Sequence, residues 1–288
     1  MRKCYLGIDI GSISIKGVII DENEKIIARS YLYINNSLID SLKELINKLS
    51  EQINLSENQI VSIGTTGLAR KLVGSMLGAS VIKNEIIAHA TGTLSIFPNV
   101  RTIFEIGGRD SKIILLDNKE IIDYEINTLC LFGVGSFLER EAMKLDLSIE
   151  EFGVLALNSQ KVLDLTGINK RLLFNEFNSN DKIKAGYNKE DIIAGICNLV
   201  VDAYLNSVVK ERKLKSPIVF QGGVSKNIGI IKAIEEAVGE EIMVDENSHL
   251  LAALGVAILA KESKKERTFS FDIENIKFID KEMKKNLC

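Results

Sequence analysis

Two short stretches of the sequence present the same reactive residue types at the same spacing. Residues 9–21 read DIGSISIKGVIID and residues 105–117 read EIGGRDSKIILLD. In each, an acid (Asp9, Glu105) is followed by Ile, then Gly (Gly11, Gly107), then Lys (Lys16, Lys112) and finally Asp (Asp21, Asp117). This pattern suits phosphate. Glycines let backbone N–H groups close on an anion, the hydroxyls of residues such as Ser12 and Ser14 add donors, and the lysines bring positive charge. An acid at the entrance of such a turn suits Mg²⁺ held through its water shell, which makes Asp9 a metal candidate and Glu105 its counterpart. One glycine turn is commonplace. Two copies at one internal spacing imply two related domains that pinch the phosphate tail of a nucleotide.

The flanking segments supply elements to hold these residues. Each copy begins at the end of a short apolar strand (CYLGI, TIFEI) and runs into a second β-branched stretch (KGVII, KIILL), so each reads as a β-hairpin with small residues at its tip. LIDSLKELINKL carries a helical apolar stripe, VSIGTT reads as a strand, and LARKLVGSML as a helix. IIAHATGTLSIF reads as a helix stopped by Pro98. NKEDIIAGICNLVVDAYLNSVVKER predicts a long helix with Asn188 as its N-cap. SPIVFQGGVSKN predicts a strand, a Gly-Gly turn and a helix start, EIMVDE a strand, and SHLLAALGVAILAK a small-residue helix suited to tight burial. These elements make an α/β protein with a first domain at 1–97, a second at 98–261 whose final helix 248–261 packs back toward a nucleotide cleft, and a charged, peripheral tail at 262–288.

Composition narrows the class of partner. Of the 288 residues, 46% are hydrophobic and 26% charged, which suits a soluble protein with a large core. A net charge of −3 argues against nucleic acid or an anionic membrane as ligand. The longest apolar run, Leu250 to Ala260, is about half of a membrane span. The opening MRKCYLGIDIGS reaches Asp9 too soon for a signal-peptide core, and the expected location is the cytoplasm. None of the four cysteines (Cys4, Cys130, Cys197, Cys288) lies in a CxxC pair, so one chain holds no self-contained zinc or ferredoxin-type site. Cys197, inside IAGICNLVV, reads as a core residue.

Taken in order, DIGSISIK, EIGGRDSK and FQGGVSKN resemble the phosphate-1, phosphate-2 and adenosine motifs of the actin-like ATPase superfamily. That resemblance implies two duplicated ribonuclease H-like domains with ATP in the cleft between them. It implies Gly107, Gly108, Asp110, Ser111 and Lys112 at the second phosphate loop, and Gly222, Gly223 and Asn227 beside adenosine. GTTGLARKL, NEIIAHATG, IGGRDSK, the stretch from Asn127 to Glu139, DIIAGI and GGVSKN with ALGVAILA narrow the resemblance over roughly residues 3–261. It is to the BadF/BadG/BcrA/BcrD-type ATPases, which include the activators of 2-hydroxyacyl-CoA dehydratases. The resemblance implies a homodimer bridged by one 4Fe-4S cluster, with ATP hydrolysis driving a low-potential electron into a partner dehydratase or reductase. Cys130 matches the first cluster cysteine of each chain, at the mouth of a helix over residues 134–145, where the dipole favours thiolate.

The sequence departs from that pattern at three places, one being Leu131-Phe132-Gly133-Val134-Gly135 where the family has Ala-Ala-Gly-Thr-Gly. The family's second cysteine falls near Arg171, and no cysteine lies between Cys130 and Cys197. Cys130 as a small buried residue is therefore the competing reading. The family's IGGQD is IGGRD here, and Arg109 would act as a charge clamp on phosphate. Two rival functions stay open. Glu85 and His89 share a helix face, and Glu85 following Asn84 suits the base of an amino-sugar-type kinase. A cluster-free nucleotide-dependent regulatory protein would suit the missing cysteine.

Overall fold

The structure, a computed structural model, describes residues 1–35, 37–54, 56–127, 133–165, 177–266 and 269. The chain forms two compact units, one of Met1–Ile96 with the chain from Leu250 onward, the other of Phe97–His249.

In the first unit, β1 (Arg2–Ile10), β2 (Ser14–Ile20), β3 (Ile26–Tyr33), β4 (Asn58–Gly67) and β5 (Val81–Ile82) form a sheet in the order β3-β2-β1-β4-β5. β1, β2 and β3 pair antiparallel, while β4 lies parallel to β1 and β5 parallel to β4. One sheet face packs Leu6, Ile8, Ile10, Ile15 and Ile19 against the stripe of α1 (Leu38–Ser50) and against Val73 and Leu77 of α2 (Arg70–Leu77). α1 starts where the Ser37 hydroxyl accepts from the Asp40 N–H, and α2 stops at Gly78 in the left-handed conformation.

The opposite face, with Tyr5, Val18, Ile20 and Val61, packs against α9 (Leu251–Glu262). α9 therefore belongs to the first unit, where the sequence had placed residues 248–261 at the close of the second domain. The reason is steric. A Cβ added to Gly7 of β1 would lie 2.0 Å from the Ala253 carbonyl oxygen, and one at Gly92 of α3 (Glu85–Ile96) would lie 1.9 Å from that of Leu251. Only bare backbone on the sheet and on α3 admits a helix this close. The chain beyond α9 is also engaged: Lys3 pairs with Glu266 at 2.7 Å, the Phe269 N–H donates to the Ile60 carbonyl, and the Phe269 side chain packs on the first core.

The second unit repeats the sheet plan. β6 (Thr102–Ile106), β7 (Ser111–Asp117), β8 (Glu120–Asn127), β9 (Ile218–Gln221) and β10 (Ile242–Met243) lie in the order β10-β9-β6-β7-β8, with β6, β7 and β8 antiparallel and β9 parallel to β6. One face packs Phe104, Ile113, Ile218 and Phe220 against α4 (Val134–Lys144), α5 (Ile149–Ala156), α7 (Lys189–Tyr204) and α8 (Ile228–Val238). A short helix, α6 (Ser179–Lys184), precedes α7. α7 continues as a π-helical turn, Leu205–Val209. The combined run is apolar enough to cross a membrane, yet 67% of its most apolar stretch is buried in the protein. Cys197 lies in that core, where burial pushes its thiol up to about 12.

Asn188 occupies the N-cap position of α7 but makes no side-chain capping bond; its amide donates to Asp191 at 3.4 Å. Asp191 ties down the segment before residue 166. It accepts from the Ser159 hydroxyl (2.7 Å) and from the N–H groups of Gln160 (3.0 Å) and Lys161 (2.9 Å). These contacts, led by the Lys161 N–H, hold its carboxyl below the usual aspartate range.

Candidate phosphate-binding site

The two hairpin turns have one geometry. In each, four residues reverse the chain, and the N–H of the first glycine donates to the carbonyl of the fourth residue: Gly11 to Ser14 at 2.9 Å, Gly107 to Asp110 at 3.0 Å. The hairpin register then sets the acid opposite the lysine, Asp9 against Lys16 and Glu105 against Lys112. Lys16 Nζ donates to Asp9 Oδ2 at 3.0 Å and lies 5.7 Å from the centre of the Tyr31 ring. Lys112 Nζ donates to Glu105 Oε2 at 2.8 Å. The second pair is the deeper, with side chains 4% and 5% exposed against 14% and 11% for the first.

Each pair is completed by a glycine that the hairpin pattern does not contain. Gly67 ends β4 with φ +87°, and a Cβ there would lie 2.6 Å from Asp9 Oδ1 and 2.4 Å from the Ile10 carbonyl oxygen. Gly222 follows β9 with φ +93°, and its Cβ would lie 2.8 Å from Glu105 Oε1 and 2.4 Å from the Ile106 carbonyl oxygen. Both sit at the end of the parallel strand beside the acid. Gly67 escaped the sequence reading, although it lies within GTTGLARKL. The half-site is thus acid, lysine and two glycines, built once in each unit.

One carboxylate oxygen is bonded to lysine while the other lies against the bare Cα of a glycine. That arrangement fits a Mg²⁺ ion held through water near Asp9 and Glu105. Bound there, the metal would offset the negative charge of phosphate oxygens. Among the described residues, no group of three or more His, Cys, Asp or Glu side chains forms a direct ligand cluster.

The remaining sequence candidates fall as follows. Ser12 is half-buried, while Ser14 and Ser111 are buried at the starts of β2 and β7. Gly108 and Asp110 lie in the second turn and Arg109 is exposed there. The start of α4 is fastened to this turn: the Ser136 N–H donates to the Gly108 carbonyl at 3.0 Å, and a Cβ at Gly135 would lie 2.5 Å from the Gly107 carbonyl oxygen. Gly223 opens the short 3-10 turn after Gly222. Asn227 is fully buried, and its Oδ1 accepts from the Ile230 N–H at 3.1 Å as the N-cap of α8. Glu85 heads α3, on a different element from the hairpin.

Cys130 and Arg171 lie outside the described residues. Cys4 is buried in β1 with its thiol donating to the Arg2 carbonyl, and burial raises its pKa. Neither Cys4 nor Cys197 offers an accessible thiolate, so the described residues do not form a ligand set for an iron–sulfur cluster.

Duplicated α/β units, each with this acid–glycine–lysine turn, define an actin-like ATPase fold. A glucokinase of the ROK family from Streptomyces griseus, 10% identical, shares that fold at a TM-score of 0.55, covering 90% of this chain and 99% of the kinase. The chain belongs to the BadF/BadG/BcrA/BcrD ATPase family, which it matches over residues 6–260, and it is accordingly an ATPase. The 2-hydroxyisocaproyl-CoA dehydratase activator of Clostridioides difficile is 32% identical over 270 residues, spanning 91% of this chain and 97% of the activator. A solved structure of the activator of the 2-hydroxyisocaproyl-CoA dehydratase from Clostridium difficile, with bound ADPNP, has a TM-score of 0.82 at 29% identity, covering 91% of this chain and 96% of that one.

Proposed function

We propose that the protein binds and hydrolyses ATP to activate a partner enzyme of the 2-hydroxyacyl-CoA dehydratase type. The observation that carries this reading is the half-site built identically in both units. An acid and a lysine stand paired at a tight glycine turn, with a second glycine packed against the acid. Asp9 and Glu105 are the acids that would hold a hydrated magnesium ion, whose charge would offset that of the phosphates. Lys16 and Lys112 supply cationic charge, and the N–H groups and hydroxyls around Gly11, Ser12, Ser14, Gly107, Gly108, Asp110 and Ser111 receive phosphate oxygens. Arg109, exposed at the second turn, adds a further cation. The fastening of α4 to Gly107 and Gly108 supports a mechanical output, since a shift of the second turn carries the start of that helix with it. Likeness over nearly the whole length to a dehydratase activator supports the choice of partner class.

Titration calorimetry with ATP and Mg²⁺ tests the reading. Asp9→Ala and Gly107→Val should each abolish tight binding, because a Cβ at Gly107 already lies 3.1 Å from Glu105 Oε1 and 3.2 Å from the Asp110 carbonyl oxygen. Undiminished ATP affinity in both variants would refute it. The electron-transfer version is separate and rests on iron: a wild-type chain reconstituted without oxygen that takes up none would exclude it, and uptake lost in Cys130→Ser would support it.

A further inference from the structure

Thr66 is a buried polar residue of the first half-site to which the ATPase reading assigns no task. It is fully buried, and its hydroxyl has no hydrogen-bond partner among the described residues. Its neighbour Thr65 differs: that hydroxyl donates to the Arg70 carbonyl at 2.9 Å and fastens the start of α2. Thr66 stands in register with Asp9 on the adjacent parallel strand, so the two side chains project from the same face of the sheet. The next residue, Gly67, packs its bare Cα against the acid, since a Cβ there would lie 2.6 Å from Asp9 Oδ1. The second unit has the same arrangement, with Gln221 in register with Glu105, fully buried and followed by Gly222. A polar side chain thus recurs beside the acid in both units, where an apolar one would bury at lower cost.

We propose that the Thr66 hydroxyl donates a hydrogen bond to an oxygen of the terminal phosphoryl group of a bound nucleoside triphosphate. This rests on the ATPase reading and extends it to a residue outside the hairpin. The ligand chemistry follows from the surroundings. Lys16 and the Gly11 turn provide the cation and the N–H groups for an anion. A hydroxyl fully enclosed at the end of β4 is reached by the end of a phosphate chain, because an inner phosphate would have to bury the groups on both of its sides.

The test compares the affinities of the full-length protein for a non-hydrolysable ATP analogue and for ADP, both with Mg²⁺. Thr66→Val keeps the branched shape and removes the hydroxyl. It should weaken the triphosphate by about tenfold or more, as expected for a lost hydrogen bond to a charged group, and leave ADP unchanged. Thr66→Ser should restore triphosphate affinity, which a purely structural role of the methyl group would not produce. If Thr66→Val fails to fold, Thr66→Ala is measured instead, with the same expectation. Wild-type triphosphate affinity in the hydroxyl-free variant, or equal loss of both nucleotides, overturns the proposal and leaves the ATPase reading standing. A wild-type protein that binds neither nucleotide overturns both.

Discussion

Replacing Gly222 by alanine perturbs the second half-site from behind, without touching the hairpin. Gly222 has φ 93° and ψ 175°, a region that glycine alone occupies readily, so alanine there costs about 1–3 kcal/mol in backbone strain. The new Cβ would also lie 2.4 Å from the Ile106 carbonyl oxygen and 2.8 Å from Glu105 Oε1, and relieving such crowding costs about a further 1–3 kcal/mol. The sum is about 2–6 kcal/mol. Gly239 provides the control. It too is left-handed, with φ 75° and ψ 20°, but has nothing within 4 Å of its would-be Cβ, so Gly239→Ala should cost only about 1–2 kcal/mol. Urea unfolding of both variants at unchanged slope measures the two costs. Gly222→Ala should be the less stable, and should also bind ATP more weakly because Glu105 is pushed from Lys112. Equal destabilisation of the two, with wild-type ATP affinity in Gly222→Ala, would refute the crowding argument.

Two further outcomes follow from buried contacts in the second unit. The depressed pKa of Asp191 means that its carboxylate stabilises the fold above the unfolded-state value of about 3.9, and that this contribution fades as the pH falls through the native value. Asp191→Asn should therefore be less stable than wild type at pH 7, with the gap closing below about pH 4; unfolding midpoints at pH 7 and in acid would show a constant gap if the idea is wrong. Tyr204, whose hydroxyl donates to the Lys112 carbonyl at 2.7 Å, holds β7 behind the second lysine. Tyr204→Phe keeps the edge-to-face contact with Phe104 and should lose about 1 kcal/mol in urea unfolding, whereas no loss would mean that the bond does not contribute.

The hairpins were legible in the sequence because their chemistry is local. A four-residue turn fixes which residues face each other, so the spacing from Asp9 to Lys16, repeated from Glu105 to Lys112, already specifies both ion pairs. Cys197 was legible too, since a helix apolar on all sides has nowhere to lie but a core. The helix over residues 134–145 was expected from the resemblance, though not its attachment to Gly108. Other features depend on parallel pairing between segments far apart in the chain, which local residue types do not encode. β4 beside β1 and β9 beside β6 bring Thr66 with Gly67, and Gln221 with Gly222, to the acids. Asn227 looked like a ligand-binding residue in its motif, and the fold also uses it to cap a helix.

The allegiance of α9 shows the same division most plainly. Its Ala- and Gly-rich sequence determined that it would be a closely buried helix. Which unit buries it was decided by Gly7 and Gly64, where two strands present bare Cα atoms and the helix backbone at Ala253, Val256 and Ala257 can press against them. Local residue types set the chemistry of the two glycine turns and the kind of helix that α9 is. Which distant polar residues and glycines come to lie beside each turn depends on the parallel strand pairing, because those strands meet through long crossovers.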